Sequence, residues 1–426
     1  MAELRREERI AQNIDWLTVL LFALMVAAGW LNIFAAVYDA QSQQSIFDLD
    51  INSGKQILWI GTTVIIITML MAIDYKFFDS FAYVIYGAMM IILIGVLFGG
   101  KVVAGSKSWI GVGGFGIQPS EFSKTACALA LAKFLSKPGL RLDRTNDMFT
   151  AAAIIALPAL LILLQNDTGS TLVFSSFIIV LYREGLPPVY PVLGITVVAL
   201  FILTLLVPQL YLIIGLVVLA LIIIALIPKS IKNIAVIVGG LAIVVAVVMG
   251  VDFFVNDVLQ PHQQNRIKAL IDPDGDPLGY GWNVTQSKIA IGSGGFLGKG
   301  FLEGTQTKFD FVPEQSTDFI FCTIGEEHGW FGSFLVIAGF MTLLMRIVFL
   351  AERQKSRFAR VYGYSVASIL FFHMMVNIGM TIGLFPVIGI PLPFFSYGGS
   401  SLWSFTILLF ILLKLDAHRS QILNRY

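Results

Sequence analysis

The dipeptide Thr317-Asp318 stands just before the apolar run FIFCTIG, where a polar loop meets a membrane-like stretch. An aspartate there has two readings. It can cap the helix that follows, with Ser316, Thr317 or Asp318 lending an oxygen to the orphan amides of the first turn. It can also serve as an outward-facing general base, because a carboxyl with an ordinary pKa near ~3.9 is ionised at neutral pH and accepts a proton. A second pair, Glu121 and Lys124, lies in GIQPSEFSKTACALALAKFL, where Pro119 suits the first turn of a helix. Their i,i+3 spacing puts them on one face of that helix. They can pair simply to ease insertion, but ionisable groups inside a span are costly enough that function is the expected reason for keeping them. Glu326, Glu327 and Asp167 fall under the same argument.

Other polar positions are less specific. Trp109, in GSKSWIGVGG, reads as an interfacial anchor. The tract PVIGIPLPFFSYGGSS (386–401), which contains Ser396 and Gly398, reads as a rigid turn or as a groove whose backbone amides receive an anion. His262, His328 and His373 lack metal-ligand spacing and read as structural, and Cys127 and Cys322 read as small buried hydrophobes. The passage IGSGGFLGKG (291–300) has nucleotide-loop-like spacing but follows no strand pattern and lacks a GK[ST] ending. It is expected to be a flexible or tightly turned extracellular loop.

The elements that must position these residues are membrane spans. Of the 426 residues 57% are hydrophobic and only 13% charged, with mean hydropathy +0.83, which excludes a soluble globular protein of this size. A net charge of +1 gives no basic surface for nucleic acid. Taking ~20 apolar residues per span, the sequence predicts an all-α polytopic membrane protein of about twelve transmembrane helices. They fall near 16–38, 56–73, 80–99, 119–136, 148–165, 168–183, 189–207, 210–227, 233–254, 325–350, 361–384 and 395–415. The first run is too long for a signal-peptide core and reads as the first span. Most Lys and Arg fall in segments on the amino-terminal side of the membrane, including Arg5, Lys133, Arg141, Arg353 and Arg419, so both termini are expected inside. The loops at 39–55 and 100–118, the large loop at 252–326 and the turn at 385–394 then share the outer face.

Three long tracts in order, GSKSWIGVGGFGIQPSEFSK, QSKIAIGSGGFLGKGFLEGTQTKFDFVPEQSTDFIFCTIGEEHG and NIGMTIGLFPVIGIPLPFFSYGGSS, carry a resemblance over most of the chain. The sequence resembles the SEDS family (shape, elongation, division and sporulation) of peptidoglycan glycosyltransferases, and GTQTKFDFVPEQSTDFIF looks more like the elongation branch than the division branch. The resemblance implies a single membrane domain over 1–426, a core of ten spans with an extra helix pair within 189–254, and a bacterial cytoplasmic-membrane location. It implies an inverting polymerisation of lipid II into β-1,4-linked glycan, with Asp318 matching the family's essential aspartate and Glu121 and Lys124 its fourth-helix pair. Two positions depart from the family: Asn166-Asp167-Thr168-Gly169-Ser170 replaces a Pro-Asp-Leu-Gly-Thr tract, and Ser316 stands where a His is frequent.

On this reading Lys124 is the first candidate to meet the leaving diphosphate, with Lys288 and Arg266 behind it. Trp109, Asp167, Ser396 and Gly398 are further substrate-binding candidates, and a divalent cation (Mg or Mn) held by carboxylates is a candidate cofactor that no pattern proves. Expected partners are lipid II, undecaprenyl-pyrophosphate-linked glycan, a class B penicillin-binding protein and other elongation-complex membrane proteins. A lipid II flippase, which should carry mid-bilayer polar groups and inverted repeats, and a structural scaffold are the alternatives.

Overall fold

The computed structural model describes residues 13–38, 45–103, 105–112, 115–228, 230–253, 255, 257, 261–271, 276, 279, 281–309 and 311–419. The basic residues Arg5, Arg6, Arg9, Lys229 and Arg425 and the side chain of His262 lie outside them. The chain is nearly all helix: α1 Trp16–Val37, α2 Asn52–Ala72, α3 Tyr75–Ser80, α4 Ala82–Gly99, α5 Pro119–Leu135, α6 Thr145–Leu164, α7 Thr168–Val173 and α8 Phe177–Arg183. There follow α9 Val189–Leu206, α10 Gln209–Leu226, α11 Ile231–Phe253, α12 Pro261–Ile271, α13 Trp282–Ser293, α14 Thr305–Lys308, α15 Ile320–Glu352, α16 Arg357–Thr381 and α17 Gly399–Ala417. Each of the twelve expected spans has a helical counterpart. Ten helices among the described residues are long and apolar enough to cross a membrane; α5 and the broken helix 168–183 are shorter. Between α4 and α5, strands β1 Lys101–Val103, β2 Ser106–Val112 and β3 Phe115–Ile117 form an antiparallel meander.

Two compact units are present, one built from the chain up to Leu186 and from Asn283 onward, the other Pro187–Trp282. The second unit contains α9, α10 and α11, three helices apolar on every face, so the 189–254 segment carries three spans. Arg266 lies in α12 of this unit.

In the first unit α16 and α17 are mostly enclosed, and α5 is buried almost all round. Small residues in the α5 run ACALALA allow that close packing, while Pro119 at its start, Glu121 in its first turn and Lys133 in its last agree with the helix dipole. On the side expected to be cytoplasmic, Asp15 caps α1 by accepting from Thr18 N (3.1 Å) and Oγ1 (2.6 Å), and also accepts from Arg346 Nε of α15 (3.1 Å). Arg353 and Gln354 at the end of α15 bond Asp416 of α17. The first, fifteenth and last helices are thereby tied at one end.

The fifteenth helix is the exception to regularity. It begins at Ile320, earlier than the expected 325, and breaks at Gly329 (φ 64°, ψ −158°). There the glycine-rich passage runs against it backbone to backbone: Lys299 N donates to Glu326 O and Gly300 N to Glu327 O, while Trp330 N donates to Gly295 O and Phe331 N to Phe296 O, all at 2.9–3.0 Å. A Cβ on Gly298 would lie 2.1 Å from Glu327 O, and one on Gly329 2.3 Å from Gly298 N. Both glycines also have positive φ, so only glycine fits this contact. The passage is therefore a tight strap across the kink. Phe296, Trp330 and Phe334 stack beside it, with centroids 5.3 and 5.4 Å apart.

Candidate active site

The loop between α16 and α17, residues 382–398, is where the candidate residues meet. Asp318 lies in the turn leading into α15 and is half-buried. The N-cap of α15 is Phe319, whose side chain makes no capping hydrogen bond. The Asp318 carboxylate lies against Gly389, whose missing Cβ would come within 3.2 Å of Oδ2 and whose φ is +69°. Only glycine leaves that space and takes that backbone at little cost.

Around the aspartate the turn is held by its backbone. Ser396 Oγ donates to Thr317 O (2.6 Å) and accepts from Leu392 N (2.8 Å), and Tyr397 N donates to Ser316 O (2.9 Å). Asn52 Nδ2 donates to Ser316 Oγ (3.0 Å), and Gly398 N donates to Gln56 Oε1 (3.2 Å). Amides 392, 397 and 398 are thus spent on the protein itself. At these amides the tract is the rigid turn of its two readings, and Ser396 and Gly398 are part of it. Burial raises the Tyr397 phenol above its ordinary value, so this neighbour stays neutral.

Glu121 and Lys124 do form an ion pair, at 2.8 Å, but with side chains only 3% and 1% exposed. Lys124 Nζ also donates to His373 Nε2 at 2.9 Å and sits 5.1 Å from the centre of the Phe405 ring. Ser404 Oγ donates to Glu121 O. A lysine enclosed this way is paired inside the protein rather than open to the loop surface. His373, expected to be merely structural, is its partner. Since a lysine ammonium only donates, His373 Nε2 accepts and Nδ1 is the donor to Pro391 O, 3.1 Å away.

Lys288 lies close to the same loop. It is exposed on α13, with Nζ 2.8 Å from where a Cβ on Gly383 would stand. The next residue back, Ser287, donates to Thr381 O (2.5 Å) and contacts Cys322 Sγ (2.8 Å) in the first turn of α15, so α13 is fixed to both sides of the Asp318 turn.

Three further carboxylates, Asp167, Glu326 and Glu327, lie at contacts between elements. Asp167 caps α7, with Oδ1 accepting from Ser170 N and Oδ2 from Gln118 Nε2 and Ser120 Oγ. These bonds tie α7 to the start of α5. Glu326 is fully buried and gathers Lys299 Nζ and the amides of Thr305, Gln306 and Thr307, thereby seating α14. Glu327 is buried on α15, where its backbone carbonyl accepts from Gly300 N of the strap. Trp109 is half-buried on β2 with its ring over Gly116. Among the described residues no three His, Cys, Asp or Glu side chains converge, so the candidate divalent cation has no ligand set there.

A model of the FtsW/RodA/SpoVE cell cycle protein family matches residues 15–211 and 182–421. The chain belongs to this family. It is 32% identical to the peptidoglycan glycosyltransferase RodA of Treponema pallidum, covering 96% of this chain and 99% of that one. It is also 32% identical to the peptidoglycan glycosyltransferase MrdB of Escherichia coli K12, over 86% of each. Among solved structures it is similar to a chain of a peptidoglycan synthase complex that coordinates polymerisation and crosslinking (TM-score 0.69, 28% identity, 96% of this chain and 99% of that one). The fold of the rod shape determining protein RodA of Thermus thermophilus also matches, with TM-score 0.61 and 24% identity over 95% and 97% of the two chains. The family's all-helical multi-pass membrane fold is the one described above.

Proposed function

We propose that this chain is a lipid II polymerase of the elongation branch, with Asp318 as general base on the outer face of the bacterial cytoplasmic membrane. The observation that carries the assignment is the Asp318 turn. Its carboxylate is half-buried beside Gly389, and the turn is held by a brace of backbone hydrogen bonds on both sides. Relatives at 32% identity over nearly the whole chain are named peptidoglycan glycosyltransferases, which supports the same reading.

In this mechanism the 4-hydroxyl of one lipid-linked sugar attacks the anomeric carbon of the growing chain. The new C–O bond forms as the bond to the diphosphate breaks, with inversion to the β-1,4 link. The hydroxyl proton passes to the Asp318 carboxylate, and undecaprenyl pyrophosphate leaves with the bonding electron pair. Lys288, exposed and adjoining the loop, supplies positive charge toward the departing group. Holding two membrane-anchored sugars in line contributes much of the rate through orientation. A class B penicillin-binding protein that crosslinks the product strand is the proposed partner, in keeping with the similarity to a polymerising and crosslinking complex.

The test is glycan-chain formation from lipid II by the purified chain. Asp318→Ala and Asp318→Asn are expected to be inactive while keeping the wild-type elution profile and melting temperature; substantial residual polymerisation by a folded variant refutes the base. Reconstituted vesicles that translocate lipid II without making glycan point instead to a flippase.

A further inference from the structure

Helix α16 carries two enclosed polar side chains one turn apart, His373 and Asn377, 1% and 0% exposed. Four-residue spacing puts both on one face, and that face is turned to the active-site loop. Asn377 Nδ2 donates to Asp318 O at 2.8 Å and to Ile390 O at 2.7 Å. Both neighbours are carbonyl oxygens, so only the NH2 end of the amide can face them. Asn377 Oδ1, by contrast, is buried with no hydrogen-bond partner. A buried orphan acceptor is destabilising and calls for an explanation. Here the amide nitrogen reaches two carbonyls from segments far apart in sequence, one belonging to the candidate base and the other adjoining Gly389, on which the base rests. The adjacent turn of α16 repeats the pattern, with His373 Nδ1 donating to Pro391 O while Nε2 is fixed by the buried Lys124–Glu121 pair.

We infer that Asn377 is a positioning residue for Asp318, pinning the base and the Gly389 turn to one another, with His373 anchoring the same loop to the buried ion pair. Asn377 meets no reacting atom in this arrangement; its effect on the reaction runs through where the Asp318 carboxylate sits. The inference rests on Asp318 being the base.

The experiment measures kcat and KM for lipid II polymerisation by the full chain, with Asn377→Ala, Asn377→Ser and Asp318→Ala side by side and melting temperatures recorded for each. Displacing a catalytic group by about an ångström costs on the order of 100-fold in rate. Asn377→Ala is therefore expected to lower kcat by about that factor and to leave KM within about threefold, while Asn377→Ser, which keeps one donor, falls between it and wild type. Hydrogen exchange should rise in the peptide covering 311–320 and not in peptides of α5. If Asn377→Ala does not fold, the folded Asn377→Ser decides alone. A wild-type kcat in the folded variant, or a loss confined to KM, overturns the inference. Activity in Asp318→Ala removes the base assignment itself, whereas an inactive Asp318→Ala beside a fully active Asn377 variant rejects only the positioning role.

Discussion

Lys124 and Glu121 show how burial changes what a charged residue is for. Breaking a buried ion pair by removing one partner leaves an uncompensated charge and costs about 3–5 kcal/mol, whereas replacing both with apolar or neutral groups of similar volume is often tolerated. Lys124→Ala is therefore expected to lower the melting temperature sharply and to reduce the yield of folded protein, and the double variant Glu121→Gln with Lys124→Met to recover much of both. Fluorescence-detected melting in detergent checks this. A folded, fully stable Lys124→Ala whose only defect is in binding lipid II would instead return the lysine to the substrate. The i,i+3 pairing was legible from four residues of sequence, since helix geometry alone brings those positions together. His373 was not, because its partner lies 249 positions away and a lone histidine in an apolar run has no local signature. The available signal was His373 and Asn377 together, two polar residues at i,i+4 inside a span, where polar groups are expensive.

At the level of elements, span lengths were legible because a bilayer imposes one length on every apolar run. The break in α15 was not, since it is produced by a strap roughly thirty residues earlier in the chain, and its glycines could not be told from those of a flexible loop. The contact has a direct test. Gly298→Ala places a methyl 2.1 Å from Glu327 O on a backbone with φ +84°. The left-handed conformation alone costs about 1–3 kcal/mol for a side chain, so the melting temperature should fall and polymerisation with it. Gly292→Ala, in α13 with nothing within 4 Å of the added atom, should be neutral or stabilising by up to about 1 kcal/mol. Equal effects at the two glycines would mean that the strap does not hold the kink.

At the scale of the whole first unit, the end opposite the Asp318 turn is held by charge. Burial pushes the Asp15 carboxyl up, but hydrogen bonds from Arg346 and Thr18 outweigh it and lower its pKa from 3.8 to about 2. A carboxyl depressed in the folded state stabilises fully above its unfolded pKa and loses that contribution as pH falls through the folded one. The melting-temperature difference between wild type and Asp15→Asn should thus be constant above about pH 5 and shrink between about pH 4 and pH 2. A difference that does not change over that interval would show that Arg346 and Asp15 do not pair. At the other end, the turn bearing Asp318 is braced by Gln56, backed by a pair that includes Lys124, flanked by Lys288 and closed by Ser396. These side chains leave the ribosome at widely separated times, Gln56 early and Ser396 late. A nascent chain that ends before the 382–398 loop therefore lacks the brace around Asp318.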